Sequence, residues 1–340
     1  MDLIESYREE LQLVRKTWTR IWVAALVIAA FLLPLYSPEH VTYIATLICI
    51  YTIGVLGQNL LIGYTGQISF GQAGFLAIGA YTFGHLARLD IPWPVTLLAA
   101  GVAAGLFGLL VGFPSLRLKG PYLAIATMGF GIAVYQIFAN SELLSGGRMG
   151  LTVPKLEPLF GMTKITFSYY FNFILALLSV FLSYNIVSSY MGRAFIAIRN
   201  NDIAAEVIGV NLTRYKLLSF AISSFFTGVQ GGLYALFIGY LEPNMFTFMI
   251  SVTLFVAVII GGLASVEGSI MGAAFVIIVP HAFAKLEEVV PGMFGLNIAF
   301  KELVPVAFGV TILLFLIFEP LGIYGRWMKA RLYLSNWPFR

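Results

Sequence analysis

Three Gly-Gln pairs fall within 16 residues: Gly57-Gln58, Gly66-Gln67 and Gly71-Gln72, in the stretch GQNLLIGYTGQISFGQAG. The amides of Gln58, Asn59, Gln67 and Gln72 each offer two donors and an acceptor without charge, and the Ser69 hydroxyl adds one of each. The glycines loosen a helix and expose its backbone groups. Irregular backbone at membrane depth survives only where protein or a watery cavity satisfies it. Two uses fit this pattern. The segment could be a discontinuous helix lining a path for a polar, neutral or zwitterionic solute. Equally, the amides could bond neighbouring helices and hold the bundle together. The spacing leaves both open.

A second constellation is the polar island MGRAFIAIRNNDIAAEVIGVNLTRY, from Met191 to Tyr215, flanked on both sides by apolar runs. Asn200 or Asn201 can cap a helix, and Asp202 then falls in the first turn, where the dipole favours an acid. Ile203, Val207 and Val210 recur at helical spacing, and Ala204, Ala205 and Ile208 widen the stripe. Gly209, followed by Asn211, suits a helix stop. The expectation is an amphipathic helix of about two turns lying across a membrane face. A helix immersed in lipid headgroups would favour lysine and bulkier apolar residues. Asp202 and Glu206 beside the small Ala204 and Ala205 suit a protein groove better.

These constellations sit in a chain built for lipid. Hydrophobic residues make up 59% and charged residues 11% of 340 residues, against about 25% charged in soluble domains. The predicted fold is all-α, a polytopic helical membrane protein of about ten spans, with eight or nine as the lower count. Apolar segments lie at 21–36, 41–62, 70–87, 93–113, 120–140, 168–190, 217–240, 247–263, 269–284 and 303–318. Segments 70–87 and 269–284 are shorter than a perpendicular span and are expected to be tilted, broken or only partly crossing. The organisation follows: a cytoplasmic segment 1–20, a transmembrane domain 21–325 with the 191–215 loop, and a cytoplasmic tail 326–340. With both termini inside, 14 of the 20 basic residues fall on the cytoplasmic side, among them Arg117, Arg193, Arg199, Arg214 and Lys216, which satisfies the positive-inside rule. The long external loops are then 141–167 and 285–302. Glycine pairs four apart, Gly101/Gly105, Gly108/Gly112, Gly228/Gly232 and Gly268/Gly272, suit close helix packing.

Several function classes are disfavoured. The basic residues sit in short loops beside apolar runs, so topology rather than nucleic acid explains a pI of about 9.0. Cys49 is the sole cysteine, and His40, His85 and His281 lack ligand spacing, so no metal site is predicted. There is no Gly-x-x-x-x-Gly-Lys-Ser/Thr loop, so the chain is not expected to bind or hydrolyse ATP itself. No clear charge lies mid-span, which argues against an ATPase-independent secondary carrier of small polar solutes. No catalytic cluster supports a membrane enzyme.

The run Gly192-Arg193-Ala194-Phe195-x-Ala197-Ile198-Arg199-x-Asn201-Asp202-x-Ala204-Ala205-x-x-x-Gly209-Val210-Asn211 resembles the cytoplasmic coupling loop of ABC-importer permeases. More narrowly, it resembles the branched-chain amino acid permease family, which also includes urea and short-amide permeases. The Gly57–Gly74 block is similar to that family's other signature. So are Pro114-Ser115-Leu116-Arg117-Leu118-x-Gly120-Pro121-Tyr122 and Gly261-Gly262-x-x-Ser265-x-x-Gly268-x-x-x-Gly272. Asp202 stands where the family often has Glu. The resemblance implies a permease subunit of an importer in the bacterial cytoplasmic (inner) membrane, forming half of a path for branched-chain amino acids or related small polar solutes. It implies a second homologous permease, two cytoplasmic ATPases using ATP-Mg and an extracytoplasmic solute-binding protein. The ATPase-coupling residues would be Arg193, Arg199, Asn201, Asp202, Ala204, Ala205, Glu206 and Gly209.

Overall fold

The computed structural model describes residues 17–118, 120–147, 150–154, 163–294, 309, 310, 313, 317 and 322–335. Most of the predicted 1–20 segment, much of the 285–302 loop, most of segment 303–318 and the last residues of the 326–340 tail lie outside these.

Nine of the ten predicted apolar segments are helices: α1 (Thr17–Tyr36), α2 (Glu39–Asn59), α3 (Gln72–Ala87), α4 (Trp93–Ser115), α5 (Pro121–Asn140), α7 (Lys164–Ser188), α10 (Leu212–Ile238), α11 (Phe248–Gly261) and α12 (Val266–Phe294). The described residues also include short helices α6 (Glu142–Ser145), α8 (Tyr190–Asn200) and α9 (Asp202–Val207) and, further on, α13 (Gly322–Ser335). Among the described residues seven helices are long and apolar enough to cross a membrane. The 16 residues of α3 reach only about 24 Å, short of a hydrocarbon core of about 30 Å. Of the alternatives expected at 269–284, the break is corrected: α12 is continuous over 29 residues. One small departure from an all-helical chain is a two-residue antiparallel ribbon, in which Leu151–Thr152 pairs with Tyr240–Leu241.

Helix α10 is the hub. It packs on α2, α3 and α4, while α11 and α12 pair beside α2. Glycine permits this closeness. A Cβ on Gly79 of α3 would collide with the backbone of Gly228 in α10, and one on Gly108 of α4 would strike Ser224. Apolar side chains alone do not draw helices together in lipid, so contacts of this kind carry the packing. All four predicted glycine pairs lie at such contacts, those of α12 against α11.

The contacts also fix direction. Gly112 of α4 meets Leu217 near the start of α10, whereas Gly101 meets Val229 further along, so the two helices are antiparallel. Gly54 of α2 lies on Gln230 and Gly57 on Phe226, so α2 also runs against α10. Helix α3 runs with it: Gln72 bonds Ser223 at 3.0 Å and Gly232 faces Phe83. Residues 60–71, α8, α9 and the start of α10 therefore share one end of the bundle. Arg88, the ribbon and Glu242 share the other.

Candidate functional site

At the first end the polypeptide makes a built arm. Ser189 caps α8 by accepting from the Met191 amide at 3.1 Å, and Ala194, Phe195 and Ile198 are buried against the bundle. The island is thus two helices where one had been predicted. The 3.6-residue recurrence of Ala194, Phe195 and Ile198 was the signal for the first of them. The cap of the second falls on Asn201. Its Oδ1 accepts from the amides of Ile203 at 2.9 Å and Ala204 at 3.1 Å. The C-terminus closes as a Schellman motif: the Val210 amide donates to the Ala205 carbonyl and the Gly209 amide to that of Glu206, both at 2.9 Å. Gly209 takes φ +88°, where a side chain would be strained. Ala205 and Val210 are buried in one small cluster with Ala194 and Ile198.

That reversal corrects the predicted stripe. Val210 turns inward, while Ile203, Val207 and Ile208 are 72%, 81% and 74% exposed. Ala204 and Glu206 are exposed beside them. The remaining predicted coupling residues are engaged within the chain. Arg193 donates to the Ser188 carbonyl at 3.3 Å and lies over the Tyr190 ring at 5.8 Å. The Arg199 stem packs on Gly66. Asp202 pairs with Lys216, Oδ2 to Nζ 2.7 Å. Lys216 is buried, a position lysine takes only when partnered. No local spacing relates it to Asp202, which is 14 residues away.

The amides gather beneath this arm. After Asn59 the α2 helix loosens into a π turn, Leu60–Tyr64. Thr65 Oγ1 closes it by donating to the Leu61 carbonyl at 2.6 Å, and Gly66 at φ +72° turns the chain back into the bundle. Asn59 is fully used. It donates to the Ser265 carbonyl at 2.7 Å and to Ser269 Oγ at 2.8 Å, and accepts from the Ala264 amide at 3.0 Å. Gln72 donates to Ser223 Oγ and accepts from Thr227 Oγ1 at 2.6 Å. Gln58 donates to the Ser69 carbonyl at 3.0 Å and Gln67 to Ser219 Oγ at 2.7 Å, but both leave Oε1 without a partner. Ser69 Oγ accepts from the Gly71 amide at 3.3 Å. All five predicted residues are buried; Gln67 and Gln72 bond α10, Gln58 bonds Ser69, and Asn59 faces the start of α12 instead. Their partners Ser219, Ser223 and Thr227 were missed, although spacings of four in an otherwise apolar helix mark one polar face.

At the opposite end Arg88, Asp90, Thr152, Val153 and Pro154 line a hollow of about 310 Å³. His85 bonds the Leu144 carbonyl at 2.6 Å and His281 that of Ile277 at 2.7 Å. Cys49 packs against the core.

An apolar bundle with an amide-rich broken helix and a capped, outward-facing arm at one end is the architecture of a multi-pass membrane protein. The family model described as branched-chain amino acid transport system / permease component matches residues 40–317, and the chain belongs to that family. It is a permease subunit of an ABC transport system and a multi-pass protein of the inner membrane. It is 33% identical over 285 residues to LivM of Escherichia coli, a high-affinity branched-chain amino acid transport system permease protein, covering 76% of this chain and 67% of that one. It is 25% identical over 320 residues to LivH of Salmonella typhimurium, a permease protein of the same description, covering 86% and 96%. The guanosine ABC transporter permease protein NupQ of Bacillus subtilis is 26% identical over 222 residues, 60% and 68% of the two chains. No solved structure matches.

Proposed function

We propose that this permease is one membrane half of an ATP-driven importer. In this reading it pairs with a second, homologous permease. Two cytoplasmic ATPases, using ATP-Mg, grip the arm made by α8 and α9. An extracytoplasmic solute-binding protein delivers the solute to the end that carries Arg88 and the hollow beside it. The solute is a branched-chain amino acid or a related small polar molecule. The one observation that carries the reading is the exposed trio Ile203, Val207 and Ile208 on a helix locked at both ends. Unpartnered apolar side chains on a rigid, capped element favour burial in a protein groove. Orientation is supported by charge: Arg117, Arg193, Arg199, Arg214 and Lys216 all gather at the arm's end, which the positive-inside rule makes cytoplasmic. The second permease is supported by the match to both LivM and LivH, two permease names under one system description.

In this account Ala204, Glu206 and the apolar trio contact the ATPase. Arg193, Arg199, Asn201, Asp202, Ala205 and Gly209 shape and anchor the arm. Gln58 and Gln67, each with an unpaired carbonyl oxygen, are the stronger candidates for the translocation path. Ser69 supports Gln58, while Asn59 and Gln72 hold helices together.

Co-purification tests the reading. The permease, expressed with its ATPases, retains them through tagged purification. The double variant Ile203→Asp/Val207→Asp elutes as the same folded species without them. Retention of the ATPases by that variant, or uptake by the permease without any ATPase, sinks the proposal.

A further inference from the structure

We propose that Lys216 is the positioning residue that carries movement of the ATPase-facing arm into the broken segment between α2 and α3. The inference rests on the importer reading above and concerns what happens behind the docking surface. Asp202 opens α9, yet its carboxylate faces inward, to the buried ammonium of Lys216 in the second turn of α10. The Lys216 carbonyl accepts from Ser219 Oγ at 2.8 Å. Ser219 Oγ in turn accepts from Gln67 Nε2 at 2.7 Å. Gln67 lies in the reversal that follows the π turn. An unbroken line of polar contacts therefore runs from the arm, through the start of α10, to the break.

A second contact runs beside the first. The Arg199 stem lies 3.3 Å from where a Cβ would stand on Gly66, the left-handed residue at the reversal. The end of α8 thus touches the break at Gly66 by packing, and the start of α9 reaches the adjacent Gln67 by hydrogen bonds. Displacing α9 alone would strand a buried ammonium, which is costly. The start of α10 is therefore compelled to follow α9. Once α10 moves, Ser219 pulls on Gln67, while Ser223 and Thr227 on the same face pull on Gln72. Both ends of the segment Gln67–Gln72 are tied to one face of one helix. Gln67 on that segment is itself a path candidate, and Ser69 on it holds the other, Gln58. The arm is thereby joined mechanically to the amides without any direct contact between the ATPase and the path.

The experiment uses the complete transporter in proteoliposomes. Cys49→Ser removes the native thiol, and Ile68→Cys, half-buried within the segment, reports on its exposure through maleimide labelling. ATP with vanadate, compared with no nucleotide, is expected to change the labelling rate by about fivefold or more. Lys216→Met is expected to abolish that change while the ATPases remain bound and hydrolyse ATP. Ser219→Ala, a milder change that removes one hydroxyl, is expected to reduce it at least by about half. Should Lys216→Met fail to assemble, Ser219→Ala decides alone. A nucleotide response that survives Ser219→Ala undiminished, or a segment that does not respond to nucleotide in the parent complex, overturns the relay. Absence of bound ATPase in the parent complex instead overturns the importer reading.

Discussion

The arm and the broken segment invert the usual relation between polarity and burial. At the arm, Ile203, Val207 and Ile208 stand in the open, while the charged Lys216 beneath them is buried. In the segment, Gln58, Asn59, Gln67 and Gln72 are buried among the helices beneath the arm. The difference lies in how each region is satisfied. Asn59 and Gln72 are fully partnered by α12 and α10, so their burial costs little, while Gln58 and Gln67 each keep one buried oxygen unsatisfied. Among the described residues the apolar trio stays exposed. A membrane bundle uses polar groups inside as adhesive, because lipid is already as apolar as leucine. It keeps apolar groups in water only where something else will cover them.

Substitutions can break this contrast or sharpen it. The largest effect on folding is expected at the hub. Gly79→Leu drives a side chain into the Gly228 backbone, and overpacking of this kind costs about 3 kcal/mol or more. Measured as yield of monodisperse protein after extraction, most of the chain is lost, whereas Ile203→Asp at the arm leaves the yield unchanged. Within the amide segment, Asn59→Leu removes three hydrogen bonds and orphans the Ala264 amide. At about 0.6 kcal/mol per interhelical bond, rising to about 1.7, the expected loss is about 2–5 kcal/mol in a denaturant titration. Asn201→Ala deletes the cap of α9, costing about 1 kcal/mol. Because α9 is peripheral, this appears as faster amide exchange over 202–207 with little change in global unfolding. Gln58→Leu is the mildest, at about 0.6 kcal/mol or less: one bond is lost, but an unsatisfied oxygen goes with it. If Gln58 lines the path, its variant lowers uptake despite normal stability. A Gln58→Leu protein as unstable as Asn59→Leu would erase the distinction drawn between them.

Much of this was readable in advance, and the parts that were not share a cause. The helices followed from apolar run length, since lipid forces each spanning segment to satisfy its own backbone. The 191–215 arm was partly legible: Asn201 and Gly209 act on residues within five positions, so cap and stop are local chemistry. The direction of Val210 was not, because the Schellman turn breaks the helical period that aligned it with Ile203 and Val207. The first arm helix, α8, was overlooked although its Ala194, Phe195 and Ile198 recurrence was present. For the amides, residue type announced hydrogen bonding but not with whom. Asn59 meets Ser265 and Ser269 across 206 and 210 residues of chain, and no periodicity spans that distance.

By itself, the sequence determined the solvent. Fifty-nine per cent hydrophobic residues, arranged in long runs with arginines between them, admit only a helical bundle in a bilayer, and local caps admit only a short stopped helix after Asn201. Tertiary structure alone decided which polar groups were consumed and which apolar ones were left over. Pairing of Asp202 with Lys216, of Gln67 with Ser219 and of Asn59 with α12 depends on α10 and α12 lying where glycine contacts let them approach. That placement is a property of the packed bundle, because hydrogen bonds and close backbone contacts are short-ranged and join residues distant in the chain.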